Sequence, residues 1–321
     1  MSSVKNYSAP MPFDCDLSYS STLEILKYLG TIAYLVPGCV LHFLILRSIL
    51  VTRRDYFKSS SFFNIFALDS VASIIMILLD VFFGRLFLYV PPLCPIVGPY
   101  FWNPSMIPKL YYYAMLHARF SKAVAQIFMV LNRMTCVLVP TYYTGIWNKL
   151  THVAVAMILV VPFGGTWFLF LTPRFYLIPS YGGFAVIYVR TVAWATVSMY
   201  QSVYYLTALG FTVVCTSITL YSLILLRVRV KAAEKSLCFS SCFISFTFLL
   251  VAGCQLLYIL CEDCRTSQYL YSAQYLAFDT FTVGSALILV LSNGQLRESI
   301  FSSGDNEDRV FRVSTNNSFT H

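Results

Sequence analysis

Charge is what this sequence has least of. Asp, Glu, Lys and Arg make up 11% of its 321 residues, against roughly 25% in an ordinary soluble domain. With 58% hydrophobic residues and a mean hydropathy of +0.70, the chain holds more apolar surface than a soluble globule of this length can hide, so lipid must be part of its solvent. Recognisable catalytic patterns are missing too: there is no phosphate-cradling Gly-rich loop, no zinc-spaced His pair and no Gly-x-Ser-x-Gly elbow. The four histidines, His42, His117, His152 and His321, are far apart in sequence. Cys261-Glu-Asp-Cys264 has zinc-like internal spacing, but no second pair or nearby His completes a site. No enzyme, cofactor or metal is therefore expected. A cleavable signal is not expected either, because the first 22 residues are polar and the apolar run after them exceeds a signal-peptide core and lacks a small-residue cleavage site.

What the chain does have is long apolar runs. A helix crossing ~30 Å of hydrocarbon needs ~20 mostly apolar residues. Seven such spans emerge, at about 28–46, 62–83, 110–134, 153–171, 203–226, 237–260 and 273–291. Arg119 and Lys122 lie inside the third. The stretch from Phe184 to Met199 is also apolar, but Pro179, Gly182, Gly183 and Arg190 interrupt it, which predicts a long loop. The expected fold class is an all-α membrane protein, a seven-transmembrane helix bundle.

The net charge of +8 does not form a basic stripe, so nucleic acid is not an expected partner. The basic residues sit between spans, where they report orientation, since cytoplasmic loops retain Lys and Arg. Arg47, Arg53, Arg54, Lys58, Arg133, Lys149, Arg227, Arg229, Lys231, Lys235, Arg297, Arg309 and Arg312 fall on one side, thirteen in all, and Lys5, Arg85, Lys109, Arg174, Arg190 and Arg265 on the other, six in all. This bias predicts an N-terminus outside and a C-terminus in the cytoplasm. Residues 1–27 are then an extracellular N-terminus, 28–301 the transmembrane domain with a short amphipathic segment at 295–301, and 302–321 a disordered cytoplasmic tail. Asn6-Tyr7-Ser8 is a glycosylation sequon on the outer side, whereas the sequon at Asn316 should stay bare.

Cys15, Cys94, Cys261 and Cys264 share the oxidising side, where four cysteines allow three complete pairings, and the sequence does not choose among them. Cys215, Cys238, Cys242 and Cys254 fall in apolar runs, where cysteine acts as a small buried hydrophobe.

Counting back from Arg133, Arg119 lies ~21 Å and Lys122 ~16 Å along the helix, inside the apolar slab, where charge is costly unless paired or hydrated. Their i, i+3 spacing, with Gln126 a turn further, makes a polar stripe. Asp80, Asp279 and Asp69 are the candidate partners. Two readings stay open. One is a structural network that fixes helix packing; the other is a site where Arg119 or Lys122, with Gln126, Asp80 and Asp279, anchors an anionic or polar ligand. Tyr111, Tyr112, Tyr113, Trp194, Tyr200, Tyr204 and Tyr205 crowd the same region and read mainly as an interfacial belt, some of them lining a pocket.

At the inner end of span three stands Leu131-Asn132-Arg133-Met134-Thr135-Cys136, followed by Pro140 and Trp147. Further runs are Tyr89-Val-Pro-Pro-Leu-Cys94-Pro95, Pro179-Ser-Tyr-Gly-Gly-Phe184, Glu234-Lys-Ser-Leu-Cys238 and Ser292-Asn293 with Leu296-Arg297. In order and spacing these resemble the nematode serpentine receptors, class gamma in particular, over nearly the whole chain. The resemblance implies a bundle of G-protein-coupled-receptor type in the plasma membrane of sensory neuron cilia, detecting a small external molecule and signalling through a heterotrimeric G protein. It places Arg133 at the arginine of the rhodopsin-like Asp-Arg-Tyr motif; with it Asn132, Thr144 to Lys149 and the basic Arg227, Arg229, Lys231 and Lys235, at the inner ends of the spans, are expected toward the G protein and the anionic leaflet. Asn132 stands where that motif has its acid, Ser292-Asn293-Gly294 replaces Asn-Pro-x-x-Tyr, and residues 172–202 hold no cysteine for the usual loop bridge. The alternatives are a transporter, which would show the internal symmetry of paired broken helices, whereas Pro37-Gly38 in span one has no counterpart in span five, and a seven-span channel, which would have the opposite orientation.

Overall fold

The computed structural model describes residues 15–16, 18–102, 106–172, 175–225, 232–261 and 268–301. Asn6, Arg227, Arg229, Lys231, Cys264, the sequon at Asn316 and the tail 302–321 lie outside them. Helices dominate: α1 (Ser21–Arg47), α2 (Arg54–Lys58), α3 (Ser61–Leu79), α4 (Leu86–Tyr89), α5 (Cys94–Trp102), α6 (Met106–Leu138), α7 (Tyr143–Thr166), α8 (Val197–Leu225), α9 (Ala232–Leu260), α10 (Gln268–Ser292) and α11 (Gly294–Phe301). Lys235 is placed on α9.

Among the described residues, six helical stretches are long and apolar enough to cross a membrane: Ser21–Thr52, Ser61–Tyr89, Tyr143–Leu169, Val197–Ile224, Cys238–Leu257 and Ser272–Ser292. At 33 residues α6 has ample length, but it is too polar to join them. The reason is burial. Every residue from Phe120 to Val130 except Ile127 is buried, so this helix shows little surface to lipid and need not be apolar all round. By contrast, only 22% of the apolar window of Ser21–Thr52 is buried, and Val36, Val40 and Phe43 stand exposed on it, as lipid-facing side chains do.

The second span does not end at Phe83. After α3 the helix widens into a π-helical stretch, Asp80–Arg85, re-tightens as α4, and stops where Pro91 and Pro92 cannot continue it. The expected loop from Phe184 to Met199 is also corrected. Strands β1 (Phe175–Ser180) and β2 (Gly183–Tyr188) form an antiparallel hairpin, registered from Phe175 opposite Tyr188 to Ser180 opposite Gly183, and Val197 already opens α8. Tyr181 (φ 54°) and Gly182 (φ 78°) both take left-handed conformations, the geometry that a two-residue turn needs to match the strand twist. Of the glycines that broke the apolar pattern, Gly182 therefore makes the turn of a hairpin and Gly183 opens its second strand.

The chain divides into two compact units. The first comprises Met1–Cys39, Ala72–Val124 and Met157–Tyr205; the second comprises Val40–Val71, Ala125–Ala156 and Leu206–His321.

Among the described residues of the first unit, two clusters are packed as cores. In one, Phe87, Cys94, Leu177 and Phe184 pack together, with Phe184 stacked on Phe87 at 5.2 Å and 14°. A Cβ on Gly183 would lie 2.1 Å from the Phe87 carbonyl oxygen, so only glycine lets β2 come this close to α4. A Cys15–Cys94 disulfide anchors the same core. Beside it Asp16 accepts the backbone N–H of Ser18 at 2.9 Å, and the Ser18 hydrogen bonds hold its carboxyl below the usual range. In the other core Leu116, Phe120, Phe168, Leu169 and Ala195 gather Tyr112, Tyr188, Tyr200 and Tyr204 around them.

In the second unit the largest buried side chains are Trp147, Phe57, Phe62, Phe66, Phe248 and Phe281. Polar ties run between helices here. The His42 ring is hydrogen-bonded to the Thr282 carbonyl oxygen at 2.9 Å, Ser48 to Ser299 at 2.7 Å, and Ser240 to Ser292. Asn293 Oδ1 accepts the Leu296 N–H at 2.9 Å and so caps α11, which explains the Ser292-Asn293 run at this place.

Candidate functional site

Of the five ligand candidates, Asp80, Arg119 and Lys122 belong to the first unit, and Gln126 and Asp279 to the second. Asp80 does not serve the charges of α6 in the way expected. Its Oδ2 accepts the Arg85 Nε at 2.5 Å, with both side chains buried, and Arg85 also donates to the Tyr34 hydroxyl at 3.2 Å. Arg85 is thus not an outer-loop charge. The π-helical stretch accounts for both corrections, because its i→i+5 hydrogen bonding brings residues five apart together, a spacing an α-helical reading keeps apart. Gly84 makes room for the pair, since a Cβ there would meet Asp80 Oδ1 at 2.8 Å.

Lys122 is 1% exposed and donates to the Ser73 hydroxyl at 2.6 Å, which ties α6 to α3. Arg119, one turn before it, is only partly buried. On α8, Tyr205 is buried and Gln201 nearly so. The Tyr205 phenol lies within hydrogen-bonding reach of Gln201 and in the field of the Arg119 guanidinium. Gln201 fell outside the expected fifth span; a lone amide four residues before a tyrosine, on one helix face, was the available signal.

The tyrosines and Trp194 divide. Trp194 is 60% exposed, as a belt residue is. Of the others Tyr205 is buried, and Tyr111, Tyr112, Tyr113, Tyr200 and Tyr204 are partly buried and in contact with neighbouring rings. Tyr204 lies flat on Phe120 at 4.2 Å, Tyr200 on Phe168 at 5.4 Å, Tyr111 on Phe83 at 5.5 Å, and Tyr113 against Phe170 at 4.5 Å. Tyr112 leans on Phe175 and Tyr188 of the hairpin.

In the second unit Gln126 donates to Ser245 at 3.3 Å and to Thr212 at 3.5 Å, while Thr216 donates to Ser245 at 3.2 Å. A hydroxyl cluster from α8 and α9 therefore surrounds it. Asp279 is buried on α10. Further along α6, Asn132 exchanges hydrogen bonds with the Tyr143 hydroxyl at 3.0 and 3.2 Å. Thr135 accepts the Trp147 indole N–H at 2.7 Å. The side chain that replaces the acid thus binds the start of α7. Trp147 is buried, which corrects its place in the partner-facing stretch, whereas Thr144, Ile146, Asn148 and Lys149 are exposed. The Arg133 guanidinium rests over the Phe62 ring at 3.9 Å, a cation–π contact strengthened by burial. It also lines a small cavity with Val130, Thr216, Thr219, Cys238, Ser241 and Cys242. Tyr143 and Phe62 carried no motif that singled them out in the sequence.

Of the four cysteines expected on the outer side, Cys15 and Cys94 pair, and Cys261 is also disulfide-bonded, so its sulfur is not a thiolate ligand. Cys39, Cys136, Cys215, Cys238, Cys242 and Cys254 are not disulfide-bonded.

Comparison with known proteins adds a family. A family model described as Srg family chemoreceptor matches residues 28–300. The chain is 62% identical to Serpentine receptor class gamma-15 of Caenorhabditis elegans, over 98% of this chain and 99% of that protein. It is 50% identical to Serpentine receptor class gamma-16 of the same organism, over 91% and 89%, and 49% identical to class gamma-17, over 90% and 90%.

Proposed function

We propose, from the premise that this chain belongs to the Srg chemoreceptor family, that it binds a small external molecule through its first unit and engages a heterotrimeric G protein through its second. Membership makes it a seven-transmembrane chemosensory receptor of G-protein-coupled-receptor type, embedded in the membrane by several helices, and not a transporter. The finer reading places the N-terminus outside, the C-terminus in the cytoplasm, and the receptor in the plasma membrane of sensory cilia.

One observation carries the division of roles. A single helix, α6, bears the partly exposed Arg119 and, fourteen residues on, the cavity-lining Arg133. A guanidinium at that depth is better accommodated by a hydrated cavity than by lipid, the setting that ligand capture needs. Arg133, with Asn132, the exposed Thr144, Ile146, Asn148 and Lys149, and the basic Arg227, Arg229, Lys231 and Lys235, suits a cytoplasmic partner and an anionic leaflet. The Cys15–Cys94 disulfide supports the orientation independently of the charge bias, because such bonds persist on the oxidising side.

The test is to express the chain in cells with calcium or cyclic-nucleotide reporters and to screen volatile and water-soluble cues. A cue-dependent response is expected, together with an N-terminal epitope accessible in unpermeabilised cells. Arg133→Ala should abolish the response at unchanged surface expression; undiminished coupling in that variant would refute the assignment of the second unit.

A further inference from the structure

We infer that the first unit holds a site for a small alkylammonium ion, made by Glu24 of α1 and Tyr181 of the hairpin turn and filled in this structure by the chain's own Lys27. The inference rests on the first unit being the ligand-binding part and is independent of Arg119.

The placement begins with a buried acid. Glu24 lies in the first turn of α1, where a carboxylate suits the helix dipole, yet it is only 2% exposed. Its Oε1 accepts an N–H of the Lys27 ammonium at 2.7 Å. Its Oε2, also buried, has no hydrogen-bond partner among the described residues. An ion pair between exposed groups three residues apart adds little, but a buried carboxylate needs both oxygens satisfied. Lys27 satisfies one and is itself 46% exposed, so its flexible stem can return the ammonium to water with little loss.

The same ammonium stands over the Tyr181 ring, 5.8 Å from its centroid. Tyrosine is an unusual residue there. It takes φ 54° at the first position of the hairpin turn, where glycine, asparagine or aspartate fits without strain. Its hydroxyl is also buried with no hydrogen-bond partner among the described residues. Tyr19 and Tyr89 flank its ring at 6.1 and 5.4 Å, and the turn is pressed against the first of them, since a Cβ on Gly182 would lie 3.2 Å from Tyr19 and 3.0 Å from Pro91. A strained position given to an aromatic ring, beside a carboxylate oxygen still to be satisfied, suits recognition of a cation.

An ammonium ion on a short alkyl chain fits this set. Its N–H groups can donate to the Glu24 oxygens and to a phenolic oxygen, its charge can face the Tyr181 ring, and Tyr19 and Tyr89 offer surface for its hydrocarbon. No empty cavity is needed, because the ligand takes the place that the Lys27 ammonium leaves. One cation departs as another enters, and the displaced lysine regains water. An anion is repelled by Glu24, and an alcohol brings a single donor and no charge.

The test reads binding without any G protein. Full-length receptor is purified in lipid nanodiscs, and its unfolding temperature is followed with n-pentylammonium and, beside it, 1-pentanol. The ammonium ion should raise the unfolding temperature, as a ligand binding only the folded state must, with the alcohol weaker by at least about tenfold. Lys27→Met keeps the stem and removes the competing cation. It should lower the unfolding temperature of the unliganded receptor, and n-pentylammonium should restore it, binding about tenfold more tightly than to wild type; an ion pair with a structural role alone would give no such rescue. Glu24→Gln should remove the response to the ammonium ion. If Glu24→Gln does not fold, Lys27→Met and the ammonium–alcohol comparison in the unmodified receptor still decide. Four results would overturn the inference: 1-pentanol as effective as n-pentylammonium, no effect of the ammonium ion at millimolar concentration, Lys27→Met binding it no better than wild type, or Glu24→Gln responding as wild type does. A receptor that fails here but answers a cue in reporter cells leaves the proposed function intact; ammonium binding without cellular signalling would leave this inference standing and remove the G-protein assignment.

Discussion

The two units are held together by different chemistry. The first is fastened by a disulfide, a hairpin seated on α4 through Gly183, and ring faces in contact, Phe184 on Phe87 and Tyr204 on Phe120. The second is tied by small hydroxyls and amides: Ser240 to Ser292, Ser48 to Ser299, Thr216 to Ser245 and Asn132 to Tyr143. A stack or a covalent bond is hard to exchange for another, whereas a hydroxyl pair contributes about 1 kcal/mol and re-forms with a neighbour at little cost. The contrast gives the second unit more exchangeable ties beside its aromatic core, which suits a receptor that recognises with one part and repacks with another.

The sharpest way to break that contrast is to remove the covalent tie. Cys94→Ser opens a loop spanning 79 residues of sequence, for which chain entropy predicts a loss of about 4–5 kcal/mol. Loss of surface expression is expected, and a mild reductant should lower the unfolding temperature of the intact receptor. Unchanged stability would mean that the aromatic core alone holds the first unit. Gly183→Ala should cost roughly 1–3 kcal/mol, because the new Cβ meets the Phe87 and Leu88 carbonyl oxygens at 2.1 and 2.6 Å and the hairpin must lift. Thermal unfolding would measure it, and tolerance of alanine would show that β2 can be displaced freely.

How far these features could be read beforehand depended on whether they follow a single period. Span length and basic bias needed only composition, and they suggested seven spans although α6 fails a simple hydropathy criterion; its polarity became intelligible once Phe120 to Val130 proved almost wholly buried. Arg85 was misread as a loop charge because the Asp80–Arg85 pair belongs to a π-helical stretch, whose register no α-helical count contains. The hairpin was hidden for another reason: Tyr181, Gly182 and Gly183 read as breakers of an apolar run, although a Tyr-Gly pair flanked by short apolar segments is also a turn between strands. Tyr143 and Phe62 are single residues on different helices, and only tertiary packing brings them to Asn132 and Arg133.

In the second unit a smaller effect is expected at Phe62. Phe62→Leu keeps apolar bulk but removes the ring under Arg133, a contact of up to about 2 kcal/mol when desolvated. If this contact holds the resting arrangement, basal signalling should rise in reporter cells, and Phe62→Tyr, which retains a π face, should behave as wild type. Equal basal activity in all three receptors would show that Arg133 is held by other means.

The smallest effect belongs to Trp147→Phe. Its indole N–H donates to the Thr135 hydroxyl at 2.7 Å, and that hydroxyl itself donates back to the Leu131 carbonyl at 2.9 Å. Trp147→Phe removes one donor from a buried place, but Thr135 keeps its backbone bond, so the loss should be about 1 kcal/mol plus that of the missing ring area. Trp147→Ala empties a fully buried site and should cost about 3–5 kcal/mol. The difference between the two variants in thermal unfolding separates the hydrogen bond from the packing. If exchangeable polar ties set the second unit's behaviour, Trp147→Phe should alter basal signalling more than its small stability loss suggests; a change in stability alone would make the Thr135–Trp147 bond a fastening like those of the first unit, and the contrast between the units would narrow to the surroundings of Arg133.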